Sequence, residues 1–432
     1  MTSRRIRIDV PALTRVEGEG SLRLEVRDGQ LHELGLSIFE PPRYFEKFLE
    51  GREAEEVVDI VARICGICPV AYQMSALNAL ESLSNDSPGH WVQQMRRVFY
   101  CGEWLQSHAL HIHLLALPDF LGFDNAIAMA ERHPNEVKRG LQLQGLGNSL
   151  IRLFGGRSVH PVGARLGGFH HAPAAEDVRA LVASLQQAQS DAAELTRFCA
   201  HLPLPEDPQA FISVALHHPD CYAIESGTLR TSTGLELTVD QFEQYFHETH
   251  KPDSTALWSD FNGEPYLTGP LARLNLNYSQ LPPFLQQRLN EIGLSLPCSN
   301  MFMSLIARAL EIELVISEAI RLLQDYAHPA SPFTPQTLQA GTGCGMSEAP
   351  RGLLWHRYEL DDKGLIQAAR IVPPTSQNQA RIEADLHRSL TAFGLDNDED
   401  VLRLRAEQVI RNYDPCISCA THFLTLEKQE IE

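Results

Sequence analysis

Two Cys-x-x-Cys pairs bracket almost the whole chain of 432 residues, one in Arg63-Ile64-Cys65-Gly66-Ile67-Cys68-Pro69 and one in Asp414-Pro415-Cys416-Ile417-Ser418-Cys419-Ala420-Thr421-His422. An i, i+3 spacing at a turn of helix points two thiolates the same way. Two such pairs brought together set four sulfurs around one soft or borderline transition metal. A lone pair could serve as a redox dithiol, and two pairs most often make a structural zinc site, with a usual gap of roughly 10 to 50 residues. Iron–sulfur clusters are usually held by cysteine-rich runs. Neither pattern accounts for a gap that spans the chain, or for the residues around the cysteines. The spacing points to a metal enzyme closed by its own terminus.

Charge and cysteine usage narrow the setting. A net charge of −19 argues against nucleic-acid binding through a basic surface. No apolar run is long enough to span a bilayer, and neither an apolar signal core nor a hydrophobic segment follows Arg4-Arg5. The expectation is a cytoplasmic protein with no direct membrane insertion. The remaining cysteines, Cys101, Cys199, Cys221, Cys298 and Cys344, lack paired spacing and read as small buried side chains in a reducing compartment.

Alternation at Ile6-Arg7-Ile8 and from Leu22 to Val26, with Asp28-Gly29 before another apolar run to Ile38, predicts a β-hairpin with a two-residue turn. Apolar spacing predicts a helix over 53–64, ended by the Gly66 to Pro69 break, and a second from about 71 to 83, so the first cysteine pair sits at a helix junction. A longer helix is predicted over 91–117, closed by Pro118, with others over 135–153, 175–200, 301–326, 377–392 and 398–411. Several exceed the mean helix length of about 11–12 residues, which predicts a bundle of long helices. Residues 202–280 read as a partly stranded excursion, and a second hairpin is predicted around Asp361-Asp362-Lys363-Gly364. The expected fold is mainly α with small β elements, an α+β long-helix bundle in a single domain over 1–432.

Five stretches, in order, resemble the signatures of the large subunit of nickel-iron hydrogenases. They are Thr14-Arg15-Val16-Glu17-Gly18-Glu19-Gly20, the two cysteine motifs, Glu348-Ala349-Pro350-Arg351-Gly352 and Ile371-Val372-Pro373. The resemblance implies a Ni-Fe centre with carbon monoxide and cyanide on the iron, Cys65 and Cys416 binding nickel alone, and Cys68 and Cys419 bridging. Splitting hydrogen heterolytically needs a metal to take the electron pair and a base to take the proton, a role that suits Cys416. Glu17 matches the glutamate that relays the proton, with Glu19 as the structural alternative. Arg351 is expected over the metal pair, with Asp414 as the carboxylate a buried arginine needs, and Asp119 is a further candidate for that cluster. Pro374 follows Pro373 where many relatives have a hydroxyl, leaving Thr375 or a backbone amide for the second cyanide. Glu46, His422 and a backbone carbonyl near Arg370 match a second site for magnesium, or iron, near the C-terminus. His108, His111 and His113 read as core or proton-path histidines.

The resemblance also implies the reaction H2 ⇌ 2 H+ + 2 e−. With no cysteine set left for an electron wire, electrons would leave through an iron–sulfur small subunit. Pro-Pro-Thr-Ser at 373–376 resembles the soluble group coupled to NAD(P) through flavin and iron–sulfur diaphorase subunits. A maturation endopeptidase is expected to remove 423–432. Two rivals are a hydrogen-sensing regulatory subunit with the same site and the non-catalytic scaffold subunit of complex I, which has lost the four cysteines that this chain keeps.

Overall fold

The N-terminal alternation folds into a three-stranded antiparallel meander, Arg5–Val10, Gly20–Arg27 and Gln30–Ile38. Arg27 stands opposite Gln30, so Asp28 and Gly29 form the turn, at φ 51° and 75°. Two positive φ values in a two-residue loop match the twist of the flanking strands, which is why Asp-Gly works there. The computed structural model describes residues 5–421. His422, read above as a metal ligand, and the segment 423–432, read as a removable tail, lie outside the described residues.

Helix Ala54–Val61 opens with a reciprocal cap between Glu53 and Glu56. Helix Pro69–Glu81 opens on a proline, with Cys68 as its N-cap residue. The first cysteine pair thus lies at the junction of two helices. The bundle is built from His90–Leu110, Pro134–Gly155, Ala175–Ala200 and Ser304–Leu323. The first two of these cross with their backbones in contact, because a Cβ on Gly147 would stand 2.5 Å from the Gln106 nitrogen and 2.6 Å from the Gly102 carbonyl oxygen. Pro118 does not close the helix from His90. The chain widens into a π-helical turn over His111–Ala116 and continues as Leu117–Leu121, with Pro118 in the first turn of that segment. Proline has no N–H for the preceding turn, and the widened turn takes up the mismatch.

The excursion is stranded as expected. Ile212–His217, Thr228–Thr231, Glu236–Leu237 and Tyr266–Leu267 form one sheet, and Phe246–His250 pairs with Leu257–Phe261. The excursion shares a small core with the 341–372 sheet, in which Phe242 stacks on Trp355 at 5.0 Å and on Phe246 at 4.6 Å. The hairpin at 361–364 joins Gly352–Leu360 to Ile366–Val372, and an unforeseen third strand, Gly341–Ala349, completes that sheet. This strand lies on helix Pro69–Glu81 so closely that a Cβ on Gly345 would meet the Ala79 nitrogen at 2.2 Å. Ala349 pairs with Gly352, leaving Pro350-Arg351 as the turn. Helices Pro374–Phe393 and Glu399–Asn412 follow.

About 48% of the structure is helix and 21% strand, the expected α+β composition. One continuous apolar core runs from Ile6 to Cys419, so both ends of the chain share an interior. Of the scattered cysteines, Cys101 and Cys199 are buried. Cys221, Cys298 and Cys344 are only half-buried, contrary to the expectation for all five. Among the described residues, no helix is long and apolar enough to cross a membrane.

Candidate metal centre

The first cysteine pair is supported locally. The backbone N–H groups of Ile67 and Cys68 both point at Cys65 Sγ, each at 3.3 Å. The opening turn of helix Pro69–Glu81 is closed by the buried carboxylate of Glu103, which accepts from Val70 N–H at 2.6 Å and Ala71 N–H at 3.0 Å. Those are two of the donors that a helix start leaves without intrahelical partners. Gln106 Nε2 donates to the Ile67 carbonyl at 2.5 Å.

Distant parts of the chain hold the second pair. Asp414 takes a left-handed φ of 55°, and Cys416 precedes a helix of four residues, Ile417–Ala420. Ile417 N–H donates to the Glu17 carbonyl at 2.9 Å, and Cys416 N–H donates to Thr375 Oγ1 at 3.0 Å. Arg43 Nη2 donates to the Ile64 carbonyl at 2.7 Å and also to the Ser418 carbonyl, tying the two motifs together. Arg43 N–H donates to the Thr421 carbonyl at 2.8 Å.

These supports bring Cys65 Sγ to 3.3 Å from Cys416 Sγ and Cys68 Sγ to 3.7 Å from Cys419 Sγ. All four sulfurs lie within 4.8 Å of one another, and the four thiols are free and buried. Among the described residues, this is the one group of three or more such ligand atoms close enough to share an ion. Hydrogen bonds from neighbouring thiols, Cys416 first, draw Cys65 well below its usual value, while burial pushes Cys416 well above. Four sulfurs this close ionise together only around a cation, so the donor set suits a soft or borderline metal.

Two charged groups face the sulfurs. The Cys416 thiol donates to Glu17 Oε2 at 3.2 Å, and Ser418 N–H donates to the same oxygen at 3.1 Å. Burial, and after it the negative charge at Cys65, raise the Glu17 carboxyl above its ordinary value. Arg351, at the tip of its hairpin and 2% exposed, pairs with Asp414 through Nε at 3.0 Å and Nη2 at 3.1 Å. Its Nη1 is buried without a hydrogen-bond partner. A fixed donor of this kind beside the sulfurs fits a metal pair carrying small polar ligands.

The other expected residues fall in several places. Asp119 does not join Arg351; it pairs with Arg15 at 2.5 Å and Arg411 at 2.8 Å, because the widened helix turns it towards the N-terminal motif. Glu19 is exposed. Thr375 lies at the start of its helix with its hydroxyl on Cys416 N–H, directly after Pro373 and Pro374. Glu46 Oε1 accepts from Ile371 N–H at 2.7 Å, which puts it beside the peptide that carries the Arg370 carbonyl. The Arg370 side chain turns outward to Glu243 and Glu248. His108, His111 and His113 are fully buried, and burial lowers them to about 4, 3 and 4. His108 approaches Glu311 at 2.9 Å, His111 the Arg411 carbonyl at 2.8 Å and His113 the Ala109 carbonyl at 3.0 Å.

Sequence reasoning missed Arg43, Glu103, Ser418 and Glu40. Ser418 Oγ donates to Glu40 Oε2 at 2.9 Å, so the serine between the second pair of cysteines touches two carboxylates. Its position inside the Cys-x-x-Cys was the one available signal.

The nickel-dependent hydrogenase family matches residues 43–142 and 232–422. Sulfhydrogenase 1 subunit alpha of Pyrococcus furiosus is 32% identical over 424 residues, covering 97% of this chain and 98% of that protein. The NAD-reducing hydrogenase HoxS subunit beta of Cupriavidus necator is 28% identical over 470 residues, covering 98% and 95%. The solved structure of an NAD+-reducing NiFe-hydrogenase in the H2-reduced state superposes with a TM-score of 0.86 at 27% identity, over 97% of this chain and 99% of that one. With its four converging sulfurs, the chain belongs to the nickel-dependent hydrogenases, oxidoreductases of which it is the catalytic large subunit.

Proposed function

We propose that this chain oxidises hydrogen reversibly and passes the electrons to a separate iron–sulfur subunit, then through flavin-bearing diaphorase subunits to NAD(P). The observation that carries the reading is the four-thiol site with a carboxylate on Cys416 and, on Arg351, a buried nitrogen without a hydrogen-bond partner in a guanidinium whose charge acts on Cys416, Cys68 and Cys65. A Ni-Fe pair on these thiolates, with carbon monoxide and cyanide on the iron, supplies the Lewis-acid centre at which hydrogen is polarised.

The chain's own residues handle the proton. Cys416 Sγ takes it and Glu17 Oε2, at 3.2 Å, receives it. The raised affinity of Glu17 for a proton suits a group that takes one and gives it on. Beyond it, Ser418 touches Glu17 through its N–H and Glu40 through its hydroxyl, and Glu40 is half-exposed, so this line leads towards solvent. Arg351 Nη1 and Thr375, near the sulfurs, orient the small ligands of the iron. A second ion, magnesium or iron, is assigned to Glu46, His422 and the Arg370 carbonyl, of which His422 follows Cys419 in sequence.

A separate electron carrier is supported by the remaining cysteines, none of which forms a second ligand group among the described residues. NAD(P) coupling is supported by similarity to the NAD-reducing relatives. Removal of 423–432 by an endopeptidase is supported by a family match that stops at residue 422. The chain acts as one domain, since the functional residues come from both ends of a shared core. The test uses the purified complex under hydrogen. Stoichiometric nickel with iron, infrared bands of the bound diatomics, and NAD(P)+ reduction are expected. Zinc alone without those bands defeats the hydrogenase reading, and turnover with a different carrier defeats only the coupling.

A further inference from the structure

The turn Pro350-Arg351 is held from outside its own hairpin. Thr268 Oγ1 accepts from Leu353 N–H at 2.8 Å, and a Cβ on Gly269 would stand 2.8 Å from the Arg351 carbonyl oxygen. Helix Pro270–Asn277 starts at that contact, and from it Arg273 reaches the three residues ahead of Arg351. Its Nη1 donates to the Ala349 carbonyl at 2.8 Å and to Glu348 Oε2 at 3.1 Å, and its Nη2 to the Pro350 carbonyl at 3.0 Å. Glu311, on helix Ser304–Leu323, takes the other two N–H groups through Oε1 and Oε2, both at 2.8 Å. All five donors of the guanidinium are thereby used. The group is 0% exposed and lies over the Trp104 ring at 4.2 Å, while Trp104 Nε1 donates to the Glu348 carbonyl at 2.9 Å. Neutralising a buried arginine needs a carboxylate and no carbonyl, so the two carbonyl bonds call for a separate account.

We propose that Arg273 is a positioning residue for the metal centre: by holding the carbonyls of Ala349 and Pro350 it fixes the Pro350-Arg351 turn, and with it the place of the Arg351 guanidinium. The inference rests on the reading of Arg351 as a group that orients the ligands of the iron, and it names the residue through which the fold enforces that role. Asp414, two residues ahead of Cys416, fixes the far end of Arg351 through Nε at 3.0 Å and Nη2 at 3.1 Å. A side chain held at both its backbone and its fork keeps the remaining nitrogen, Nη1, at one position. Lysine in place of Arg273 keeps the charge, but its three donors cannot serve two carboxylates and two carbonyls together.

The test is a double-mutant cycle in the purified holo complex, crossing Arg273→Lys with Arg351→Lys and reading hydrogen turnover and infrared spectra. With Arg351 present, Arg273→Lys should lower turnover about 10- to 100-fold, the upper end being what a misplacement of about 1 Å costs. Nickel and iron contents should stay unchanged, and the cyanide bands should broaden, because their neighbouring donor no longer stands in one place. In the Arg351→Lys background the same change should cost less than about twofold and leave the bands as they are. A merely structural role gives equal fold losses in both backgrounds and bands of wild-type width, and either result overturns the proposal. If Arg273→Lys fails to take up metal, Glu311→Gln replaces it in the cycle. That change keeps the volume but gives up one of the two acceptors that aim the guanidinium, and equal losses in both backgrounds again overturn the proposal. Wild-type complex with no diatomic bands sinks the nickel–iron reading itself, whereas intact bands with equal losses sink only the role of Arg273.

Discussion

The two cysteine pairs share a spacing but not a means of support. Cys65 and Cys68 enter a helix of 13 residues whose start is closed by Pro69 and Glu103. Cys416 and Cys419 leave a helix through a left-handed Asp414 and stand on a single short turn. That turn is placed by Glu17, Thr375 and Arg43, all far away in sequence. A helix start is set by its neighbours in the chain, whereas a short turn depends on tertiary contacts to persist. The first pair is therefore a preformed half-site, and the second is the half that closes on it.

The largest difference between the halves is chemical. Glu17 touches the sulfur of Cys416, and no equivalent carboxylate touches Cys65 among the hydrogen bonds of the described residues. Glu17→Gln keeps the shape and an acceptor but cannot take up the proton. Hydrogen–deuterium exchange with solvent and turnover should fall roughly 100- to 10,000-fold, while the infrared bands stay almost unchanged. Near wild-type exchange in a metallated variant would remove Glu17 from the reaction.

Next in size is the ion pair at the root of the closing half. Arg351 and Asp414 are both about 2% exposed at the side chain. Asp414→Asn leaves a buried guanidinium facing a neutral group, at a cost of about 3–5 kcal/mol. Denaturant unfolding of the metal-free chain measures that loss. A change smaller than the scatter between replicate unfolding curves would mean that the thiols and solvent, rather than Asp414, compensate the arginine.

Arg43→Met tests closure itself. The thioether keeps the stem that packs near Phe45 but loses the fork that joins Ile64 to Ser418. Nickel retention against a chelator should fall by about 10- to 100-fold, the range usual for groups that orient metal ligands. In metal-free protein, alkylation should speed up at Cys416 and Cys419 more than at Cys65 and Cys68. Equal acceleration at all four would erase the distinction between the halves.

The same contrast separates what the sequence discloses from what it hides. Asp28-Gly29 announced its hairpin because the turn chemistry is local, and the long helices were legible because each exposes a periodic stripe. The strand Gly341–Ala349 gave no alternation, since Gly343 and Gly345 are there to let a helix backbone approach. Arg351 and Asp414 could be paired from their motifs, but Asp119 could not be assigned its partners, because Arg15 and Arg411 reach it only after the π-helical turn. Arg43, Glu40 and Glu103 act across long sequence separations, and nothing beside them marks it.

The smallest expected effect is at the preformed half. Glu103 accepts two N–H groups, and the amide oxygen of Glu103→Gln can serve one of them well but offers an NH2 group to the other. The loss should be about 1 kcal/mol, the worth of a single net hydrogen bond. The pH dependence gives the sign. Burial raises the Glu103 carboxyl well above its ordinary value, so the folded chain binds that proton more tightly than the unfolded chain. The stability contributed by this proton is full below the ordinary carboxylate range and declines as the pH rises through the raised value. The glutamine variant has no such proton, so its unfolding free energy should decline less over that interval, and the gap between the two proteins should narrow as pH rises. Metal retention should stay near wild type, because helix Pro69–Glu81 keeps its proline start and its packing. Metal loss as large as that of Arg43→Met, or an identical pH slope in both proteins, would show that the first half is no more self-sufficient than the second.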